Sequence, residues 1–320
     1  MSRDFLLRRV LMIIPSMFGI SIVLFTVLAL APGDPFGELV TNPNVPAEVR
    51  LALRVKFGLD DPVYLRYLRW LFAMVQGDWG FSFVSRVDVD RLILQRLPTT
   101  VAVIGASQVL AILVAIPVGV LAAARPYSLF DQIANTFAFI GFSLPTFFTG
   151  LLLILVFSVQ LDWLPLVYST EVRGTGWTWW WGHIRQSIMP IAVLGLFQGA
   201  SLVRYVRASV LEVIKLDYVT TARSKGIGER KVLVRHVVRN ALIPVVTLVA
   251  LQLPIVFSGA IVTEQIFRVP GIGSLLISAM LANDTPVIMG VTFVASCLVV
   301  LFNLMADLVY AWLDPRIAFH

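Results

Sequence analysis

A short polar segment between residues 217 and 226 has the residue types best suited to contact another protein. Its members are Asp217, Tyr218, Val219, Thr220, Thr221, Ala222, Arg223, Ser224, Lys225 and Gly226. Asp217 can cap the start of a helix and place its negative charge beside the positive helix end. Lys225 suits the last turn, and Gly226 suits the left-handed position that follows it. We therefore predict a short helix that fits a groove on a partner protein or lies on a membrane surface.

Four charged residues near the ends of apolar runs are further candidates for a function. They are Arg204, Arg207, Glu264 and Asp307. Charges are costly inside a membrane and usually serve a function there. These side chains could reach the membrane surface or pair between helices, or they could line a path for a transported solute. The sequence leaves both interpretations open.

The sequence lacks the motifs of the common catalytic sites. It has no G-x-x-x-x-G-K-[ST] phosphate-binding loop, no H-E-x-x-H and no G-x-S-x-G. Its three histidines, His183, His236 and His320, are far apart, and Cys297 is the single cysteine. We therefore predict that this chain is not an enzyme and holds no metal and no cofactor. Few ionisable residues lie within the apolar runs, which argues against proton relays and ion-coupled carriers.

The composition indicates that membrane helices position these residues. The chain has 320 residues, of which 58% are hydrophobic and 14% are charged, and its mean hydropathy is +0.86. A helix that spans a bilayer needs about 20 mostly apolar residues. Six runs meet this requirement, at 9–31, 97–124, 131–160, 186–208, 241–263 and 286–312. The predicted fold class is an all-α polytopic membrane protein with six transmembrane helices, the third of them broken near Pro145.

The distribution of basic residues predicts the orientation of the helices. Segment 204–239 holds nine Lys and Arg residues against three acidic ones, and Arg3, Arg8 and Arg9 precede the first run. Lys and Arg accumulate on the cytoplasmic side of membrane proteins. We therefore place both termini and segment 204–239 in the cytoplasm. The net charge of +6 then reports topology and not the binding of nucleic acid.

The runs divide the chain into three parts. Residues 1–31 form the N-terminal tail and helix 1, and residues 32–96 form an extracytoplasmic segment with a small helical subdomain. Residues 97–320 form helices 2–6, with a cytoplasmic loop at about 209–240. The first run also has features of a signal peptide, but its apolar stretch is longer than the usual one of about 7–15 residues. A retained helix is the favoured interpretation.

A loop rich in tryptophan is expected between the third and fourth runs, at residues 161–185. It contains five of the eight tryptophans. This aromatic cluster is typical of a membrane–water interface, and the alternative is a surface that contacts a binding protein or ligand. In the fourth run, Gly195 and Gly199 form a G-x-x-x-G pair that allows close helix packing, either within the chain or against a partner.

Segment 217–226 resembles the EAA loop of bacterial ABC importer permeases, and more narrowly that of the dipeptide/oligopeptide/nickel permease family. Four other segments resemble the same family: Ala31–Pro35, Gly77–Ser82 (G-D-W-G-F-S), Arg239–Pro244 (R-N-A-L-I-P) and Asp314–Arg316. Together they cover nearly the whole chain, and the first of them points to the B-type subunit. The chain departs from the general EAA pattern, because Thr220 and Thr221 replace its glutamate and first alanine.

The resemblance implies the membrane-spanning permease subunit of an importer in the bacterial inner membrane. The implied partners are a second, homologous permease, two ATP-binding subunits that hold ATP and magnesium, an extracytoplasmic substrate-binding protein and membrane lipid. Residues 217–226 would couple the permease to the ATP-binding subunits. The family imports dipeptides, oligopeptides, nickel chelates, glutathione and opine-like solutes, and the sequence does not choose among them.

Two other classes of protein remain as alternatives. An ion-coupled secondary transporter or channel would act without ATP-binding subunits, and it would need its own site near the middle of the membrane. A membrane-integral enzyme would need convergent polar residues at membrane depth. The missing motifs make the enzyme the weaker of these two alternatives.

Overall fold

The computed structural model describes residues 3–30, 48, 61–82, 84–169 and 175–313, and most of them are helical. The helices are α1 (Arg3–Leu30), α2 (Val63–Val75), α3 (Val89–Ala124), α4 (Leu129–Ser143), α5 (Thr146–Leu153), α6 (Trp177–Val213), α7 (Asp217–Ser224), α8 (Glu229–Lys231), α9 (Arg239–Phe267), α10 (Ile272–Leu281) and α11 (Thr285–Leu313). Two π-helical segments, Ile154–Gln160 and Val232–Val238, continue α5 and α8. The motifs at Ala31–Pro35 and Asp314–Arg316 lie outside the described residues.

A short hairpin connects α2 to α3. Strands β1 (Phe81–Ser82) and β2 (Val87–Asp88) pair antiparallel, with Phe81 opposite Asp88. Gly77 and Gly80 on the approach to β1 both have φ of +91°, a conformation that glycine adopts without strain. The G-D-W-G-F-S motif therefore forms a tight turn and the first strand of this hairpin.

The described residues include five continuous helices that are long and apolar enough to cross a membrane. They are Arg8–Leu30, Val89–Ala124, Trp177–Val213, Glu229–Gln252 and Thr285–Val309. Two further pairs of helices, each bent at a short break, bring the number to seven if each pair is one span. The prediction of an all-α polytopic membrane protein is confirmed. The six predicted runs correspond to the five continuous helices and the first bent pair.

The third predicted span is broken where proline was expected to break it. Helix α4 ends at Ser143, and α5 begins after Pro145 at an angle of 104°. Leu144 is extended, with φ of −80° and ψ of 129°, because a residue before proline is disfavoured in the helical region. The bend is much sharper than the kink of an ordinary span.

Two helix boundaries and one additional helix differ from the sequence prediction. Helix α3 begins at Val89 and not at residue 97, so the segment predicted as 32–96 is shorter. Helix α6 begins at Trp177 and not at residue 186, so four of the five loop tryptophans belong to its first turns. Helix α10 was not predicted, because its ten residues are about half the length of a spanning helix. It is bent by 78° from the end of α9.

Helices α3 and α6 pack closely along their length through glycines. A Cβ atom added at Gly119 would lie 2.7 Å from Val206 Cβ, and one at Gly195 would lie 2.9 Å from Leu110 Cδ2. Gly199 faces the backbone of Ala111. The G-x-x-x-G pair therefore packs within the chain, which was one of its two interpretations.

Apolar packing divides into two clusters at opposite ends of α3. The first, around Val89, Phe257 and Phe267, lies at the end that carries the β-hairpin and α10, which we call the hairpin end. The second, around Val206 and Val219, lies at the end that carries α7, which we call the loop end. The candidate residues fall at these two ends.

Candidate functional site

The predicted short helix is present as α7, which spans eight residues from Asp217 to Ser224. Gly226 has φ of +75°, and its N–H donates to the Arg223 carbonyl at 2.9 Å. The N–H of Ile227 donates to the Ala222 carbonyl at 3.4 Å. These two hydrogen bonds form the Schellman arrangement that ends a helix at a left-handed residue. Lys225 occupies the C-cap position before Gly226.

The start of α7 differs in one detail from the prediction. The N-cap residue is Leu216, whose backbone is extended and whose side chain makes no cap hydrogen bond. Asp217 lies in the first turn instead. Its carboxylate there is still beside the positive end of the helix dipole, which favours a negative charge. The predicted capping role is therefore wrong, while the predicted electrostatic role agrees with the position of Asp217.

Helix α7 has one buried face and one broad exposed face. Val219 is 0% exposed and Ala222 is 6% exposed, and both pack in the cluster at the loop end with Val232 and Val237. The remaining residues from 217 to 226 are all exposed, including Tyr218, Arg223 and Lys225. A helix held by two small apolar contacts thus presents a polar surface that no other part of the described chain covers.

Two polar contacts connect α7 to the chain that follows it. Tyr218 Oη donates to the His236 carbonyl at 3.1 Å, and Asn240 Nδ2 donates to Tyr218 Oη at 2.9 Å. Arg223 donates to Glu229 through Nε at 3.1 Å and through Nη2 at 2.6 Å. The hydrogen bond to Glu229 raises the pKa of the Arg223 guanidinium. Helix α7 is thereby tied to α8 and to the start of α9.

Among the four charged candidates, Arg204 and Arg207 lie on α6 near the loop end. Arg207 binds the Asp131 carboxylate through Nε at 2.6 Å and Nη2 at 2.7 Å. Asp131 is 2% exposed, and it also accepts hydrogen bonds from Tyr127 N and Asn135 Nδ2. Arg204 lies over the Phe142 ring, with Cζ 4.6 Å from the ring centroid, a distance typical of a cation–π contact.

Asp307 and Glu264 also have partners within the chain. Asp307 Oδ2 lies 2.9 Å from Arg9 Nη1, so this pair joins α11 to α1. Glu264, near the end of α9, is 1% exposed. The four candidates therefore make four separate intramolecular contacts. The structure does not bring them together in a common site.

Glu264 is the centre of a buried polar network at the hairpin end. Thr100 Oγ1 donates to Glu264 Oε1 at 2.5 Å, and the Ser274 N–H donates to Oε2 at 3.0 Å. Thr100 Oγ1 also accepts from the Ile272 N–H at 2.9 Å. A Cβ added at Gly273 would lie 2.9 Å from Glu264 Oε2. The carboxylate thus fixes the start of α10 against both α3 and α9.

A second buried contact attaches the β-hairpin to α11. Ser82 Oγ donates to Asp284 Oδ2 at 2.5 Å, and it accepts from the Ser85 N–H at 2.9 Å. Ser82 is fully buried, and Asp284 is buried immediately before α11. The serine of the G-D-W-G-F-S motif therefore has a structural role, because it joins segments 202 residues apart.

Comparison of the sequence with known protein families shows to which family this membrane protein belongs. The family described as "Binding-protein-dependent transport system inner membrane component" matches residues 115–319. The matching N-terminal component of such transport systems covers residues 1–104. The chain belongs to this family of binding-protein-dependent inner membrane components. The matched range 115–319 includes α7 and both of its polar contacts.

Individual relatives of this inner membrane component are similar over almost their whole length. The chain is 43% identical to the oligopeptide transport system permease protein AppB of Bacillus subtilis (strain 168), covering 98% of this chain and 99% of that protein. It is 36% identical to the dipeptide transport system permease protein DppB of Escherichia coli (strain K12), covering 98% of each. It is also 36% identical to the glutathione transport system permease protein GsiC of the same strain, covering 99% of each.

Solved structures show the same fold at low sequence identity. The inward-facing MetNI methionine ABC transporter matches with a TM-score of 0.54 and 17% identity, covering 70% of this chain and 96% of the other. An amino acid ABC transporter crystallised with histidines matches with a TM-score of 0.53 and 13% identity, covering 72% and 98%. The inner membrane component therefore has the fold of an ABC transporter membrane subunit.

Sequence reasoning missed the partners that hold the buried charges. Asp131 is the single charged residue in the run 131–160, and a lone acid in one apolar run with an arginine in another predicts such a pair. Thr100, Ser274 and Ser82 give no such signal, because their hydroxyl and amide groups are common throughout the sequence.

Proposed function

We propose that this chain is one of two permease subunits in an ATP-driven importer of dipeptides or oligopeptides. Relatives named for oligopeptide and dipeptide transport, at 43% and 36% identity, support the peptide substrate. The relative named for glutathione transport is compatible with this class, because glutathione is itself a short peptide. The second, homologous permease would complete the translocation path.

Helix α7 is the observation that carries this proposal. We propose that its exposed face, formed by Asp217, Tyr218 and residues 221–226, docks on an ATP-binding subunit. Two such subunits would hold ATP and magnesium, since the sequence has no phosphate-binding loop of its own. Movement of those subunits would pass from α7 to α6 and α9, because Val219 and Ala222 share one apolar cluster with residues of these helices and of the π-helical segment Val232–Val238.

The basic segment 204–239 supports an orientation with α7 and both termini in the cytoplasm of a bacterial cell. The hairpin end would then face an extracytoplasmic substrate-binding protein. In this proposal, the three predicted parts keep the roles of first helix, outer segment and main membrane domain, with the last boundary moved from residue 97 to Val89. The exposed phenylalanines of α4 and α5, among them Phe137 and Phe147, would contact lipid or the second permease.

Co-purification tests the proposed subunit composition. The tagged chain would be extracted gently from its native host, and its companions identified by mass spectrometry. We expect a second polytopic permease and two ATP-binding chains, alike or different. Isolation of the chain alone, with solute transport intact after reconstitution, would support the secondary transporter and contradict the proposal.

A labelling experiment tests the orientation separately. Lys215→Cys would be introduced with Cys297→Ala, so that an exposed position two residues before α7, outside the proposed docking face, carries the one thiol. A membrane-impermeant maleimide should label this thiol only in inside-out vesicles. Labelling of intact spheroplasts would place α7 on the outer side and remove the basis for its docking to a cytoplasmic ATP-binding subunit.

A further inference from the structure

A basic groove of about 650 Å³ lies beside α7 at the loop end. Its lining residues are Gly228, Glu229, Arg230, Lys231, Val234 and Arg235. They belong to α8 and the π-helical segment that continues it. The groove adjoins the exposed face of α7 through the Arg223–Glu229 contact, but none of its lining residues belongs to segment 217–226 or to the buried networks.

The groove carries an excess of positive charge. Arg230, Lys231 and Arg235 are all exposed, and none of them forms an ion pair within the described residues. The single acid of the lining, Glu229, already accepts two hydrogen bonds from Arg223. The groove therefore presents three cations, while its one carboxylate is already paired with Arg223, and this excess of positive charge suits an anionic ligand.

The position of the groove indicates what kind of anion it meets. Residues Glu229–Gln252 form a helical stretch long and apolar enough to span a membrane. The three cations lie within its first seven residues, at the end of the stretch that would meet the membrane surface. Val234 is 61% exposed and follows Arg230 by four residues, which places both on one side of the helix. Val232 and Val237 are instead fully buried. An exposed apolar side chain between cations matches a ligand that is anionic at one end and apolar at the other.

We propose that this groove binds the headgroup of an anionic phospholipid. Its phosphate would lie among Arg230, Lys231 and Arg235, and the start of an acyl chain would pass over Val234. Basic pockets next to membrane helices bind anionic headgroups in this way, and each Lys or Arg near the surface strengthens binding about fivefold. The proposal does not depend on the substrate or on the ATP-binding subunits.

Lipid selectivity of the full-length chain tests the proposal. The chain would be reconstituted in nanodiscs with equal parts of phosphatidylglycerol and phosphatidylcholine, then stripped progressively, and the lipids that remain would be counted by native mass spectrometry. We expect phosphatidylglycerol to be retained preferentially. The double variant Arg230→Gln with Arg235→Gln should lower this preference by about 25-fold, since two surface cations are removed and each contributes about fivefold.

Matched variants separate the groove from general charge effects. The control Arg66→Gln with Arg91→Gln removes the same charge from helices α2 and α3, outside the groove, and should keep the preference. The variant Arg230→Lys with Arg235→Lys keeps the charge and should also keep it. Lipid binding is distinguished from misfolding if the lysine pair keeps the preference for phosphatidylglycerol and the glutamine pair loses it. Both pairs should have the unfolding temperature of the unaltered chain.

Several outcomes would overturn the proposal. Equal retention of both lipids by the unaltered chain would show that no selective site exists. Displacement of phosphatidylglycerol by millimolar inorganic phosphate would assign the groove to a free anion. Unchanged lipid preference in the glutamine pair, combined with loss of co-purifying ATP-binding subunits, would assign the groove to a protein contact. That last result would leave the proposed function intact.

Discussion

Polar side chains hold the two ends of this membrane subunit in different ways. At the hairpin end, the Glu264 carboxylate is buried and accepts hydrogen bonds from Thr100 and the backbone of Ser274. At the loop end, Arg223 and Glu229 form two hydrogen bonds but both side chains are exposed. A buried network is costly to break, because the remaining groups cannot turn to water. An exposed pair exchanges its partner for water at little cost.

This difference indicates that the contacts at the hairpin end are fixed, whereas the polar contacts at the loop end can be exchanged. The hairpin end uses its charges internally, so α10 keeps a fixed position against α3 and α9. The loop end relies on the packing of Val219 and Ala222 and on the turn at Gly226 for its shape. Its charged face can therefore exchange water and weak ion pairs for the groups of a partner protein.

Removal of the Glu264 carboxylate should have the largest effect on stability. Glu264→Ala leaves the Thr100 hydroxyl and the Ser274 N–H without their buried acceptor, which costs about 1–3 kcal/mol for each unpaired group. We expect a clearly lower unfolding temperature, measured by tryptophan fluorescence in detergent. Glu212→Gln, which alters an exposed acid at the end of α6, is the control and should change little.

An equal effect of Glu264→Ala and Glu212→Gln would contradict the contrast between the two ends. Thr100→Ser sharpens the same test, because serine keeps the hydroxyl that donates to Glu264 and accepts from Ile272. It should therefore retain most of the stability that Thr100→Val loses. A serine variant as unstable as the valine variant would assign the effect to packing of the Thr100 methyl group.

The Asp131–Arg207 pair should have the next largest effect. It is buried on the Asp131 side, and the side chain of Arg207 is 22% exposed, so water can partly solvate the arginine after the change. Asp131→Asn should cost about 2 kcal/mol of unfolding free energy, less than the about 3–5 kcal/mol of a fully buried pair. Unfolding in denaturant would measure this for both single variants and for the double variant with Arg207→Gln.

The double-mutant cycle gives the coupling between the two residues. If they act as a pair, the double variant loses less stability than the sum of the single variants, with a coupling of about 0.5–3 kcal/mol. Strict additivity would show that Asp131 and Arg207 stabilise the protein independently. The ion pair between Asp131 and Arg207 would then contribute nothing to the attachment of α4 to α6 at the loop end.

The two ends also differ in how far the sequence could predict them. Local rules were sufficient for α7, because a short helix with an acid in its first turn and a glycine after its last is determined by neighbours within ten residues. They failed only at the cap, where Leu216 occupies the position assigned to Asp217. The hydropathy of the runs was likewise sufficient for the membrane helices, since a span is a local property of about 20 residues.

The hairpin end could not be predicted in the same way. Glu264 and Thr100 are 164 residues apart in sequence, and neither residue type indicates its partner. Helix α10 is apolar but too short to be recognised as a span. Its position depends on two glycines that leave room for the Glu264 carboxylate, Gly271 and Gly273. Only the three-dimensional packing of α3, α9 and α10 reveals these requirements.

Substitution of Gly226 tests the turn that shapes the loop end. A Cβ atom added at Gly226 meets no atom within 4 Å, so the main effect of Gly226→Val comes from the backbone, whose φ of +75° is strained for a branched residue. We expect a loss of about 1–2 kcal/mol, confined to α7, and uptake that is poorly coupled to ATP hydrolysis in reconstituted transporter. Gly228→Val is the control, because a Cβ atom added at Gly228 also meets no atom within 4 Å, while its φ of −56° is an ordinary value for any residue.

The exposed Arg223–Glu229 pair should have the smallest effect on stability. Glu229→Gln removes the negative charge but keeps a hydrogen-bond acceptor. Exposed ion pairs contribute little to folding stability, because water solvates the separated side chains almost as well. The unfolding temperature should therefore match that of the unaltered chain, in contrast to Glu264→Ala. Arg223→Gln should be equally stable while weakening co-purification of an ATP-binding subunit, because the arginine lies on the face proposed to dock. A large loss of stability in either variant would mean that the Arg223–Glu229 ion pair is needed to keep the loop end folded. Breaking this ion pair to bind a partner protein would then be too costly to occur.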